Sequence, residues 1–169
     1  MTNVLVVRAN NRPDGISTKM YETFIAEAQT VEGLNVSTFD VFEENLAYFG
    51  QELFNAFGKL QNGEALTAAE QASFDSMNKA RAALDAAEVV VFAFPLWNQT
   101  IPAALQSFID YTYGAGYSFK YNEQGQLVSL MTDKKFIVLN ARGGNYSNPA
   151  MSSMEMAVNY INNVIGGVY

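Results

Sequence analysis

Val89-Val90-Val91-Phe92-Ala93-Phe94 is an unbroken apolar run that Pro95 stops. It is far too short to span a bilayer. It is also continuous rather than alternating, so the strand it predicts must be covered on both faces. Val4-Leu5-Val6-Val7 repeats the pattern near the N-terminus. A chain with two such strands has to supply helices for both sides of a sheet.

The helices are legible between them. Met20, Phe24 and Ala28 form one stripe in a helix that starts near Ser17 and ends at Gly33. Leu34–Asp40 alternates like a second strand. Residues 40–66 read as a long, partly helical excursion. Thr67-Ala68-Ala69-Glu70 fits a capping box, and Phe74, Met77, Ala80, Leu84 and Ala87 continue the helix it opens. Pro102 stands where a first helical turn begins, with Leu105, Phe108, Ile109 and Thr112 behind it and Gly114 and Gly116 closing it. Phe119–Val128 reads as a hairpin with its turn near Glu123–Gly125, and Phe136–Leu139 as a fourth strand. Met154, Val158, Ile161 and Ile165 make a last helical stripe. Strands alternating with helices predict a three-layer α/β fold around a parallel sheet.

The length of 169 residues suits one domain over 1–169. Cysteine and histidine are both absent, which removes disulfides, thiolate nucleophiles, Ser-His-Asp triads and Cys/His zinc sites. A net charge of −7 argues against nucleic acid and against an anionic membrane surface as partners. The N-terminal apolar run is too short for a signal sequence and has no basic segment before it, so a cytoplasmic setting is expected.

In open parallel sheets ligands sit beyond the carboxyl ends of the strands. Three loops fall there: 10–18, 95–101 and 141–148. The first lacks both G-x-G-x-x-G and the P-loop pattern, but Gly15 precedes Ser17 and Thr18 at a helix start. Hydroxyls and free N–H groups at the positive end of a helix suit one phosphate monoester; ordinary capping by Ser17 is the other reading. The second loop, Pro95-Leu96-Trp97-Asn98-Gln99, offers a flat indole face and a carboxamide, which suits a planar heteroaromatic ring such as an isoalloxazine. The alternative is Trp97 packed over the core with Asn98 capping the next helix. The third loop, Arg142-Gly143-Gly144, permits close backbone approach or simply makes a turn. Tyr111–Tyr121 is expected in the core or an interface, and Glu43-Glu44 on a solvated face. Strands 1 and 3 end without the acidic cluster of a receiver domain, which disfavours phosphoacceptor chemistry. Read jointly, the loops make a site for flavin mononucleotide (FMN), phosphate on the first and ring on the other two.

Four stretches carry a resemblance: Val7-Arg8-Ala9-Asn10-Asn11-Arg12-Pro13, Phe94-Pro95-Leu96-Trp97-Asn98-Gln99-Thr100-Ile101-Pro102, Ala115-Gly116-Tyr117-Ser118-Phe119-Lys120-Tyr121, and Leu139-Asn140-Ala141-Arg142-Gly143-Gly144-Asn145-Tyr146-Ser147. The chain resembles the FMN-dependent NAD(P)H azoreductases, a branch of the flavodoxin-like quinone reductases, over essentially its whole length. The resemblance implies a flavodoxin-like sheet in the order 2-1-3-4, FMN as cofactor, and NADH or NADPH as donor. It implies a quinone or azo compound as acceptor and a homodimer with FMN sites at the subunit interface. Carried over by position, the phosphate loop falls on Asn10, Ser17 and Thr18, and the ring loop on Pro95, Leu96, Trp97, Asn98 and Gln99. The flavin-edge loop falls on Asn140, Arg142, Gly143 and Gly144, and the substrate-side tyrosine on Tyr121.

Two departures stand out. Family members continue past the position of Tyr169 with a fifth strand and a final helix, and Gly167 stands where the family has the aromatic of a Gly-Phe pair. Without that strand Phe136–Leu139 would be an open apolar edge, which a second copy is expected to cover unless the chain is simply less soluble. The resulting expectation is two-step, ping-pong reduction. The nicotinamide delivers hydride to the flavin and leaves before the acceptor binds. Asn98 and the N–H groups of 97–99 would stabilise the reduced ring, Tyr121 would shape the acceptor pocket, and Arg142 would aid the ring charge or pair with a surface carboxylate. The competing expectations are a non-catalytic flavin-binding or assembly module and a simple electron carrier.

Overall fold

A computed structural model describes residues 1–167; Tyr169, the point beyond which longer family members continue, lies outside the described residues. The elements run β1 (Thr2–Arg8), α1 (Ile16–Ala28), β2 (Leu34–Asp40), α2 (Gln51–Gln61), α3 (Ala68–Asp85), β3 (Val89–Pro95) and α4 (Ala103–Thr112). They continue with β4 (Phe119–Tyr121), β5 (Leu127–Ser129), β6 (Lys135–Ala141), α5 (Pro149–Ser152) and α6 (Ala157–Val164). β2, β1, β3 and β6 form one parallel sheet in that order, so the fourth strand of the sequence reading is β6 and the expected order holds. β4 and β5 make a separate antiparallel hairpin.

Each apolar run is split between two cores by the strand's two-residue period. Val4, Val6, Val91 and Ala93 face α1, against Tyr21, Phe24 and Ile25. Leu5, Val7, Val90, Phe92 and Phe94 face the opposite way, into the core shared with α3, α4 and α6. Phe92 and Phe39 both meet Phe108 of α4 edge-on. Each such ring contributes about 1.5–3 kcal/mol by leaving water. This is why a continuous run, rather than an alternating one, marks the central strands.

The capping box forms as read: Thr67 Oγ1 accepts from Glu70 N–H, and the Glu70 carboxylate accepts from Thr67 N–H at 2.7 Å. Lys59 Nζ reaches the same carboxylate at 2.7 Å. Hydrogen bonding to Lys59, then to the Thr67 backbone, holds the Glu70 carboxyl below its ordinary range. The partly helical excursion after Asp40 is found as read, its helix being α2. Two expectations shift. Pro102 sits at the N-cap of α4, not inside it. Met154 lies outside α6, because Asn148 caps a separate short helix that ends at Ser152. Among the described residues β6 pairs in the sheet with β3 alone, and Ile137 on it is 41% exposed. No helix among the described residues is long and apolar enough to cross a membrane.

Candidate functional site

Parallel pairing brings the ends of β1, β3 and β6 to one rim. Arg8 is opposite Ala93, Pro95 is opposite Ala141, and Leu96 N–H donates to Ala141 O at 2.8 Å. A cavity of about 270 Å³ opens there. Asn10, Arg12, Gly15, Ile16 and Ser17 line it from the first loop, Pro95, Leu96 and Trp97 from the second, and Ala141, Arg142 and Gly143 from the third.

The first loop is closed by its own side chains. Buried Asn10 donates through Nδ2 to Ser17 Oγ at 2.7 Å and accepts through Oδ1 from Arg12 N–H. Thr18 Oγ1 donates back to Arg12 O at 2.7 Å. Helix α1 takes Gly15 as its N-cap and has no side-chain cap. Ser17 is therefore not the cap; it sits in the first turn, buried, with its hydroxyl at the cavity wall. Thr18 braces the loop and does not reach the cavity lining. Gly15 is required by space: a Cβ there would lie 2.3 Å from Asn10 Nδ2.

The second loop is a tight reversal. Trp97 and Thr100 exchange backbone hydrogen bonds at 3.1 and 3.0 Å, with Asn98 at φ 50° and Gln99 at φ 69° between them. Two left-handed residues between paired neighbours make a two-residue turn whose favoured second residue is glycine. Gln99 instead carries a side chain through that region, at a cost of about 1–2 kcal/mol. Trp97 is half-buried, tilted against Phe42 with ring centroids 6.3 Å apart. Asn98 is exposed and caps nothing, since α4 has no side-chain cap. Trp97 N–H is spent on Thr100 O. That leaves the N–H groups of Asn98 and Gln99 without a partner among the described residues.

On the third side, Asn140 donates through Nδ2 to Phe94 O at 3.1 Å, while its buried Oδ1 has no donor among the described residues. A buried acceptor left unmet costs about 1–3 kcal/mol. Arg142 is exposed, with its guanidinium carbon 5.9 Å from the centroid of the Tyr146 ring. No ion pair to a carboxylate holds it among the described residues. Gly144 lies just outside the lining. Tyr121 is 62% exposed on β4, edge-on to Phe119, and is not among the residues that line the cavity.

The charged side chains lining the cavity are Arg12 and Arg142, both cationic in a chain of net charge −7. Arg12 also holds Asp14 at 3.1 Å, and that contact lowers the Asp14 carboxyl below its ordinary range. Arg12, Ile16 and Ala141 line the cavity without having been singled out as site residues. Arg12 was findable as the only cation in a phosphate-type loop; Ile16 and Ala141 carry no chemical signal. Asn98, Gln99 and Asn140, like Thr18, Gly144 and Tyr121, are not among the residues that line the cavity. The lining itself, with two cations, an indole, a serine hydroxyl and a helix start, fits a phosphorylated planar ring, and the N–H groups of Asn98 and Gln99 follow it directly along the chain.

The profile of the family described as "Flavodoxin-like fold" matches residues 2–167. The "FMN-dependent NADH:quinone oxidoreductase" of Brevibacillus brevis is 44% identical over 98% of this chain and 81% of its own length. The "FMN-dependent NADH:quinone oxidoreductase 1" of Bacillus subtilis is 40% identical over the same shares. The crystal structure of an azoreductase from Bacillus anthracis superposes with a TM-score of 0.88 at 42% identity, covering 99% of this chain and 82% of that one.

Proposed function

The chain belongs to the flavodoxin-like fold family, and we propose that it is an FMN-dependent oxidoreductase that passes two electrons from NADH to a quinone or azo acceptor. The observation that carries this reading is the single cavity to which all three rim loops contribute, with cations as its charged lining. The relatives' names support the cofactor, the donor and the acceptor class.

When bound, FMN supplies the capacity to take and give electron pairs, which a chain without cysteine or histidine lacks. The residues do the rest. Asn10 holds Ser17 Oγ at the wall, so the Ser17 hydroxyl and the uncapped start of α1 receive the phosphate, with Arg12 beside it. Thr18 keeps that loop closed from behind. Pro95, Leu96 and Trp97 form an apolar wall for the ring. The N–H groups of Asn98 and Gln99, together with the Asn98 carboxamide, stabilise the negative charge that reduction adds. Asn140, whose unpaired Oδ1 lies behind the third loop, would offer the ring edge an acceptor. Gly143 and Gly144 allow close approach, and Arg142 adds positive charge. Tyr121 shapes the acceptor's side of the site, and its exposure is what leaves it free to do so.

In the same reading residues 1–169 act as one domain, in the cytoplasm, with a second copy of the chain as partner. Exposed Phe54 and Phe57 on α2 support that assembly. The test is reconstitution. Added FMN should bind stoichiometrically and be bleached by NADH, and an added quinone should restore the colour. A chain that takes up no FMN, or a flavin that NADH leaves oxidised, rejects the proposal.

A further inference from the structure

The turn at 97–100 is strained at Gln99 and is held by very little. Among the described residues, one hydrogen bond reaches it from outside its own strand connection: Met156 N–H donates to Gln99 O at 2.9 Å. Packing does not brace that side, because Thr100, Glu155 and Met156 line a cavity of about 490 Å³. The direction of the Met156 N–H is set one residue earlier. Glu155 is 5% exposed, and its carboxylate gathers the start of α6: Oε1 accepts from Ala157 N–H at 3.2 Å and Val158 N–H at 2.9 Å, Oε2 from Asn159 N–H at 3.2 Å. Asn159 Nδ2 donates back to Glu155 O at 2.6 Å. Ala157 and Ile161 then anchor α6 in the core.

We propose that Glu155 is a positioning residue for the ring-side turn, acting through the Met156 N–H to Gln99 O bond. A carboxylate bonded to three successive N–H groups fixes the peptide between itself and the helix. That peptide holds the Gln99 carbonyl, and the left-handed conformation of Gln99 keeps the Asn98 and Gln99 N–H groups presented. The assignment of a ring to this turn rests on the function proposed above; the coupling between Glu155 and the turn does not.

Trp97 is the only tryptophan in the chain and lies in the turn, so its fluorescence reads the turn without a ligand. In the full chain without FMN, Glu155→Ala should red-shift Trp97 emission and increase acrylamide quenching about twofold. Glu155→Gln, which keeps the acceptor for Ala157 and Val158, should stay near wild type. Thr67→Ala removes a helix cap elsewhere and should leave Trp97 unmoved. Native-state hydrogen exchange of the wild-type chain gives a second measurement if Glu155→Ala does not fold: Met156 and Thr100 amides should open together. Unchanged Trp97 in a folded Glu155→Ala variant, an equal shift in Glu155→Gln or Thr67→Ala, or independent opening of the two amides overturns the proposal. For flavin, Glu155→Ala should raise the FMN Kd about tenfold, as expected when a site loses its supporting contacts. A wild-type chain that binds no FMN rejects the functional reading and leaves the Trp97 result to decide the coupling.

Discussion

The two ends of the cleft are built on different terms. At the first loop, Asn10 bonds Ser17 and the Arg12 N–H, Thr18 bonds the Arg12 carbonyl, and no residue from Ala9 to Thr18 has positive φ. At the ring side, Gln99 is strained, and two N–H groups and the buried Asn140 Oδ1 have no partner among the described residues. The first end is closed by its own hydrogen bonds, without left-handed residues. The second keeps bonding capacity that the described residues do not use. Strain and unmet acceptors concentrated at one place are what a binding surface leaves behind when it is shaped for something other than itself.

The contrast can be broken most sharply at Gly15. In Gly15→Ala the new methyl must displace the fixed Asn10 amide, which should weaken FMN binding by about 2 kcal/mol, roughly thirtyfold. Fluorescence titration with FMN checks this, and wild-type affinity would mean the first loop adapts after all. On the other side, Asn140→Ala should lower FMN affinity by about 1.4 kcal/mol, near tenfold, yet barely change the melting temperature of the ligand-free chain. There the lost bond to Phe94 O is offset by relief of the unmet Oδ1. A large drop in that melting temperature would show that Asn140 is structural. Gln99→Gly should remove the turn's strain and, after glycine's extra backbone entropy, gain about 0.5 kcal/mol, or one to two degrees of melting temperature. Calorimetry showing a loss instead would mean the turn is relaxed as it stands. The smallest effect belongs to Glu70, away from the cleft. Its folded carboxyl titrates below the ordinary value. Its contribution is therefore complete above that ordinary value and disappears as pH falls through the lowered one. Glu70→Gln should flatten the acid limb of a stability–pH curve, with FMN affinity unmoved.

The sheet was legible because its signals are local. Four buried residues in β1 and the run in β3 can only be interior strands, and Leu34–Ser37 alternates over the first half of β2 before Phe39 and Asp40 are buried together. The Thr67 capping box reads directly from residue types at fixed spacing. What was hidden depends on relations that composition does not carry. Ser17 looked like a cap because serine so often is one, but the chain turns at Gly15 and takes Ser17 into the helix. Met154 fitted the α6 stripe by spacing, yet Asn148 starts a different helix first. The left-handed Gln99 was invisible because glutamine is a poor turn former; its conformation follows from the Trp97–Thr100 pairing and the Met156 bond. The unmet Oδ1 of Asn140 depends on which side of that carboxamide Phe94 O happens to occupy.

β6 lies at the border of the sheet with its residues only half-buried, whereas β1 and β3 are sealed inside. Partial unfolding spreads from such borders, since fewer contacts must break there. Of the cleft's three walls, the one at Ala141–Gly144 should breathe first and most often, while the Asn10–Ser17 wall stays shut until the whole domain melts. A ligand between these walls would be gripped unevenly, by a firm surface on one side and a yielding one on the other.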